Sequence, residues 1–326
     1  MENALSFGVD IGGSRCKVAL VARDGGVVAR EIISMVDYAR SPNYPKFVAS
    51  LCECILRLYS AAGCPSLSGI GVGAPNANGS AGQIVNPVNL WRDDSCESRV
   101  YNIVEDIRLQ LSDTPLGQTQ VQITNDVNAA ALGELYFGEA RGMSDIVVVA
   151  IGTGLGGGII TNGRLVEGRN GAAGEIGHLN VVENGRVCGC GLRGCLETYV
   201  SDSGICKTYI ELGGTANEKI FSAKDVCQAA MRGDVKAIEA FHSAGRMLGR
   251  SLAGVVQMLA PEAIFLTGGV AKAGHLLLDA AKNALGESLP PQCDVDLRLS
   301  EMNDDFAAAR GAAVLCMKNY LDKARF

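Results

Sequence analysis

The chain has little positive charge to spare and none of it is concentrated. Its 29 Lys and Arg face 35 Asp and Glu, a net charge of −6, and no run of basic residues breaks that balance. Nucleic acid and anionic membrane surfaces call for such a run, so neither is an expected partner. Long apolar stretches are missing too, since nothing approaches the ~18 uninterrupted apolar residues of a membrane span. Met1-Glu-Asn-Ala-Leu-Ser6 lacks the basic start of an export signal and passes straight into a strand pattern. A cytoplasmic protein acting on small molecules is the expectation. Histidine occurs only three times, so a histidine set among other metal-ligating residues stands out.

Glycine is what the chain has in excess, with 41 residues gathered into short turns between apolar runs instead of a low-complexity tract. Such turns read as backbone-rich binding loops. At 326 residues the chain is about twice a typical domain, which predicts two lobes with a cleft between them. Twelve cysteines scattered without an export signal point to reduced thiols or metal ligands and away from disulfides. Cys52, Cys54, Cys64, Cys227 and Cys316 lie in helical apolar patterns and read as small buried side chains.

Leu5 to Val21 reads strand, glycine turn, strand, with Asp10-Ile-Gly12-Gly13-Ser14 at the turn. Ile146 to Ile160 repeats the arrangement around Gly152-Thr153-Gly154-Leu-Gly-Gly-Gly158. Two such hairpins, each opening its own alternation of strands and helices, predict two related α/β lobes. Phe47, Leu51, Ile55 and Leu58 repeat at helical spacing, as do Val100, Ile103, Val104, Ile107 and Leu111. Short strands are expected at 69–73 and 121–124, a helix from Asn128, a long helix over 235–259 ended by Pro261, a strand over 263–267 entering Gly268-Gly269, and a last helix over 306–321.

Glycine turns between strands serve either as plain tight turns or as cradles whose N–H groups face a polyphosphate, with Ser14 and Thr153 adding hydroxyls. Two at equivalent positions, and a third diglycine at Gly268-Gly269, favour the cradle. Neither turn is a Walker loop, because no Gly-Lys-Ser/Thr follows, and neither is a dinucleotide turn, because a strand follows each. Asp10 can hold Mg²⁺ or its water against phosphates, or simply initiate the turn. Asp126, in Asn125-Asp126-Val-Asn128, can cap the helix that follows or accept a proton from an attacking hydroxyl.

Between Glu175 and Glu197 the chain gathers His178, Cys188, Cys190 and Cys195. A Cys₃His set suits a closed, four-coordinate structural Zn²⁺ with no position left for a catalytic water. The flanking Glu175 and Glu197 suit sugar hydroxyls, because a carboxylate oxygen accepts from adjacent O–H groups.

Taken together, these segments resemble the ROK family of sugar kinases and sugar-responsive repressors over essentially the whole chain. Asp10 to Ser14 and Gly152 to Gly158 look like its two phosphate motifs, Leu266-Thr-Gly-Gly-Val270 its adenosine motif, and 174–178 with 188–197 its sugar-and-zinc signature. The resemblance implies an α/β, two-lobed actin-like ATPase fold of ribonuclease-H-like domains with an interdomain cleft. One lobe would span 1–123, joined by a C-terminal helix over 306–326, and the other 124–305 with the zinc loop. It further implies ATP-dependent phosphorylation of a hexose 6-hydroxyl, with glucose foremost and N-acetylmannosamine, N-acetylglucosamine, mannose, allose or fructose as alternatives. Asp126 would be the base. Asn89, Asn125, Asp126, Glu175, His178 and Glu197 would contact the sugar. Asp10, Gly12, Gly13, Ser14, Lys17, Gly152, Thr153, Gly154, Gly268 and Gly269 would bind Mg²⁺ and ATP. His178, Cys188, Cys190 and Cys195 would hold zinc, and a homodimer is implied.

The sugar loop departs from the family's glucokinase pattern: Ala74-Pro75-Asn76 and Pro87-Val88-Asn89-Leu90-Trp91 replace its Pro-Gly pair and its usual sugar loop. Two other classes remain as alternatives. A sugar-sensing repressor would carry a helix-turn-helix ahead of the first phosphate strand, where this sequence starts directly. An actin- or chaperone-like ATPase would need no cluster from Glu175 to Glu197.

Overall fold

Apolar residues alternate with small or polar ones from Leu5 onward, and the chain folds there into β1 (Leu5–Ile11) and β2 (Arg15–Val21), antiparallel, with Asp10 opposite Lys17. The computed structural model describes residues 4–87, 90–91, 98–215, 222–302 and 304–317. Strand β3 (Val27–Ser34) extends the hairpin, while β4 (Leu67–Ala74) and β8 (Val121–Asn125) add parallel strands, giving the order β3-β2-β1-β4-β8. Helix α1 (Tyr44–Ala61) turns Phe47, Leu51, Ile55 and Leu58 inward as their spacing predicts. A small sheet of β5 (Ala77–Asn78), β6 (Gln83–Val85) and β7 (Val100–Tyr101) precedes α2 (Ile103–Leu111).

Val100 therefore lies in a strand and not in the helix its spacing suggested. It pairs with Val85, and the helix begins only after Asn102. Helix α3 (Asp126–Phe137) follows β8 directly. In the C-terminal half, β9 (Ile146–Ile151) and β10 (Leu155–Thr161) form the second hairpin, β12 (Ala263–Thr267) and β13 (Asp296–Leu299) add parallel strands, and these four run in the order β10-β9-β12-β13 within a five-stranded sheet. Each of the two larger sheets thus starts from an antiparallel hairpin and grows by parallel strands. Helices α4 (Glu197–Val200), α5 (Asp202–Glu211), α6 (Ala223–Met231), α7 (Val235–Leu259) and α8 (His275–Ser288) complete that half, and α9 (Ala307–Val314) closes the described chain. Asp234 caps α7 through its carboxylate, and Ala260 ends it in the left-handed region just before Pro261.

Two compact units result. One comprises Met1–Gly142, Gly163–Ala173 and Asp304–Phe326, the other Met143–Asn162 and Gly174–Asn303. The first unit runs past the boundary drawn at residue 123, because α3 buries Ala129, Ala131 and Leu132 and packs on β4 and α9. A two-residue strand, β11 (Arg164–Leu165), also belongs to it and packs on α3. The first core joins Phe7, Val9 and Val18 of the sheet to α1, α2 and Trp91. The second sets Val147, Val149 and Leu266 against Phe241, Leu248 and Leu277.

Helix α9 stops at Val314 although Cys316 and Met317 stay buried, so the apolar run outlasts the helix; residues 318–321 of the expected helix lie outside the described residues. Cys64 also differs from expectation. It is exposed, with φ 53°, in the turn after α1, and Cys227 is half-buried. No described helix is long and apolar enough to cross a membrane.

Candidate active site and metal centre

In the first unit three parallel strands deliver their C-terminal ends together: Asp10 stands beside Gly73, and Ala74 beside Asn125. This is where open α/β sheets bind ligands. The glycine turn after β1 is closed by Gly12 N–H to Arg15 C=O at 3.0 Å, leaving Gly13 and Ser14 exposed. Asp10 lies 3.3 Å from the Lys17 ammonium. Burial pushes its carboxyl above the ordinary value and Lys17 pulls it back.

Beyond β8 the order of roles differs from the simplest reading. Asn125, in extended conformation, is the N-cap, its Oδ1 accepting from Val127 N–H at 2.8 Å; Asp126 is already the first helical residue, its Oδ1 2.9 Å from the same N–H. Capping by Asn125 means that Asp126 is not the residue on which the helix start depends. Its carboxylate still sits at the positive end of the helix dipole, where negative charge is favoured.

Sequence reasoning missed the polar support behind these two residues. Buried Asn128 donates to Thr124 Oγ1 at 3.2 Å, and Thr124 donates to Glu167 Oε1 at 3.2 Å. Glu167 follows β11 and is 43 positions from Thr124, a separation that no local motif reports.

In the second unit the turn Gly152–Gly154 and the diglycine Gly268-Gly269 come together at the ends of the neighbouring parallel strands β9 and β12. Gly268 has φ +95° and a Cβ there would lie 2.4 Å from Ile151 C=O, so only glycine fits. Val270 N–H donates to the same carbonyl at 3.0 Å. Thr153, Gly154 and Gly269 are exposed at this end of the sheet.

The His178, Cys188, Cys190 and Cys195 ligand atoms all lie within 4.8 Å of one another. Cys190 and Cys195 Sγ are 3.7 Å apart, and so are Cys188 Sγ and His178 Nδ1. Zinc bonds of roughly 2.3 Å to sulfur and 2.0 Å to nitrogen give tetrahedral edges of about 3.5 to 3.8 Å. The donor set fits. Burial pushes the Cys188 thiol up to about 12 and raises Cys195, while the Leu192 backbone N–H holds Cys190 below its ordinary value.

His178 ends a single 3₁₀ turn with Nδ1 toward the thiols, and its Nε2 lies 3.8 Å from Glu175 Oε2. One ring nitrogen therefore faces the thiols and the other the carboxylate, so the two can take different partners. Glu197 opens α4; its Oε2 accepts from Leu155 N–H at 3.0 Å and its Oε1 lies 3.8 Å from Cys188 Sγ.

Also missed in the sequence is Arg186, set between His178 and Cys188 in the Cys₃His loop. Its guanidinium donates to Thr198 C=O, Gly204 C=O, Thr208 Oγ1 and both oxygens of Glu211, and stacks 4.5 Å over the Tyr199 ring. A lone arginine beside a glycine carries no signal of such a role. Asn89, expected to contact sugar, lies outside the described residues.

Two α/β units that each begin with a glycine-turned hairpin define a chain of the actin-like ATPase fold. The ROK family profile matches residues 6–319, and the chain belongs to that family. It is 32% identical to a glucokinase of Halalkalibacterium halodurans over 95% of this chain and 94% of that one. A ROK glucokinase of Streptomyces griseus, solved with glucose and AMPPNP, is similar at 26% identity with a TM-score of 0.76, covering 96% and 99% of the two chains. The family's regulators are similar as well. The Escherichia coli regulator NagC is 32% identical over 61% of this chain, which spans half of that protein.

Proposed function

We propose that the protein is an ATP-dependent hexose kinase acting on the sugar 6-hydroxyl, with glucose as the leading acceptor. One observation carries this reading: the Glu175 and His178 pair, with the His178 ring braced by the Cys₃His set, a combination of hydroxyl-binding groups and ordering metal that nucleotide hydrolysis alone does not need. The glucokinase relative matching 95% of the chain supports it.

In this reading Asn125, Asp126, Glu175 and His178, with Asn89 and Glu197, hold the sugar. The turns at Gly12–Ser14, Gly152–Gly154 and Gly268-Gly269, with Lys17, hold ATP. Asp10 would hold Mg²⁺, which supplies charge neutralisation on the phosphates when bound. His178, Cys188, Cys190 and Cys195 would hold zinc, which supplies order to the loop. Asp126 accepts the proton of the 6-hydroxyl as its oxygen attacks the γ-phosphorus and the bond to ADP breaks. Because the transition state of such transfers is loose, alignment and charge placement supply most of the rate.

The test is ADP release over a panel of glucose, mannose, fructose, allose and the two N-acetylhexosamines. Turnover highest with glucose is expected, and ADP release that no sugar accelerates would defeat the proposal. A non-catalytic sugar sensor, which the NagC match favours, would bind sugar in that panel without releasing ADP. Metal analysis reads the loop separately: one zinc per chain is expected, and a folded, active, metal-free protein would remove the metal from the scheme. We further infer a cytoplasmic homodimer, to be checked by light scattering.

A further inference from the structure

We propose that Glu197 is a positioning residue through which the Cys₃His loop holds the second glycine turn, so that the metal site sets nucleotide affinity as well as order in its own loop. The inference rests on the kinase reading only in taking Gly152–Gly154 as part of the nucleotide site. It gives Glu197 a task distinct from touching sugar.

Glu197 stands two residues after the ligand Cys195. The joint between them is rigid. Leu196 is buried and donates its N–H to Leu179 C=O at 2.9 Å, and buried Thr198 donates its hydroxyl to Cys195 C=O at 2.8 Å. From that joint Glu197 reaches across 42 positions of sequence to accept the Leu155 N–H at 3.0 Å, at the point where the turn becomes β10. Its other oxygen lies 3.8 Å from Cys188 Sγ. One carboxylate therefore touches a metal ligand on one side and the phosphate turn on the other.

The turn is shaped around this carboxylate. A Cβ at Gly154 would stand 2.9 Å from Glu197 Oε2, so the absence of a side chain there is what lets the oxygen approach. The opposite end of the turn is fixed from the same module, because Gly152 C=O accepts from Asp202 N–H at 2.9 Å where α5 begins. Gly152 N–H closes on Gly154 C=O at 2.9 Å. With both ends tied to the α4–α5 segment, the N–H groups of the turn keep one orientation, which is the property a phosphate cradle needs. A charge-assisted bond from a backbone N–H to a carboxylate is the stronger kind of hydrogen bond.

A competing account treats Glu197 as a sugar contact alone. It predicts no effect on nucleotide binding when sugar is absent. The strut account predicts a loss there, and it predicts that the loss depends on the acceptor oxygen more than on the charge, because a glutamine still offers Leu155 N–H an amide oxygen.

The experiment is calorimetric titration of a non-hydrolysable ATP analogue with Mg²⁺, in the absence of sugar, into four proteins. These are the metal-replete wild type, the wild type stripped by chelator and returned to Mg²⁺, Glu197→Ala, and Glu197→Gln. Glu197→Ala is expected to weaken binding by about tenfold or more, from the loss of one hydrogen bond to a charged group. Glu197→Gln should stay within about threefold of wild type, a change of only ~0.7 kcal/mol. Stripping the metal should weaken wild type by a factor similar to that of Glu197→Ala, yet add little to Glu197→Ala, because both act on one link.

Wild-type affinity in Glu197→Ala would overturn the strut, as would a chelation effect undiminished in that variant. If Glu197→Ala fails to fold or to keep its metal, the stripped wild type and Glu197→Gln decide alone: unchanged affinity on stripping, or a tenfold loss in Glu197→Gln, overturns it. Failure of the replete wild type to bind nucleotide would overturn both this inference and the kinase reading, whereas binding without a Glu197 effect overturns only the inference.

Discussion

Asp126→Asn separates the proton-accepting task of this residue from its place in the fold. The carboxylate occupies the first position of α3, and its Oδ1 shares the Val127 N–H with Asn125, at 2.9 and 2.8 Å. An asparagine has the same shape and keeps an oxygen for that N–H. What is lost structurally is the attraction between a negative charge and the helix N-terminus, about 0.3 to 1 kcal/mol. For units of this size that is a fall of about 1 to 4 °C in Tm.

What is lost chemically is the proton acceptor, for which positioned bases contribute about 10² to 10⁴ in rate, or ~2.7 to 5.5 kcal/mol. The chemical effect exceeds the structural one by several-fold in free energy, so the two are separable. Steady-state kinetics with glucose and ATP, run beside thermal melts, make the comparison. The expectation is kcat lower by about two to four orders of magnitude with both KM values within about threefold, since the variant still offers an oxygen to the sugar. A kcat within about fivefold of wild type would refute the assignment, and a collapse in Tm of more than ~10 °C would show that the loss is structural.

Two further outcomes follow from the packing and the thiols. A Cβ at Gly8 would stand 1.7 Å from Ala309 C=O, so Gly8→Ala must push α9 off β1 and should lower stability by about 3 kcal/mol or more in urea unfolding; an unchanged midpoint would contradict the register of that helix. Burial pushes the Cys316 thiol up from 9.0 to about 12, so above pH ~9 the unfolded chain sheds this proton first and stability falls by about 1.4 kcal/mol per pH unit from this group. Below pH 9 both states keep the proton and the effect vanishes. Cys316→Ala should therefore flatten the alkaline decline measured by urea unfolding between pH 8 and 10, and an identical slope in the two proteins would rule the thiol out.

Much of the fold was legible because its signals are local. The glycine turns between apolar runs report the hairpins at 5–21 and 146–160, and spacing alone reproduces α7 at Val235–Leu259 and β12 at Ala263–Thr267. Signals failed where an apolar spacing ran past the end of its element. Val100 shares the apolar spacing of α2, yet its backbone pairs with Val85. The run over 311–317 is buried throughout, so its pattern says nothing of where α9 stops. At the site, the Cys₃His donor set needs only residue type and short spacing to be seen. Arg186 and Glu167 could not be found that way, because each acts through partners that the chain brings from a distance: Glu167 on Thr124, 43 positions away, and Arg186 on Glu211, 25 away.

The sequence by itself determined the Cys₃His donor set and the turns, because donor type and glycine backbone freedom are properties of a few neighbouring residues. Tertiary structure alone decided that Asn125 caps α3 while Asp126 follows it, that α3 packs in the first unit, and that Glu197 turns one oxygen to Leu155 and the other to Cys188. Those choices depend on which buried N–H and C=O groups lie within reach once the sheets are assembled. No stretch of chain short enough to read as a motif contains that information.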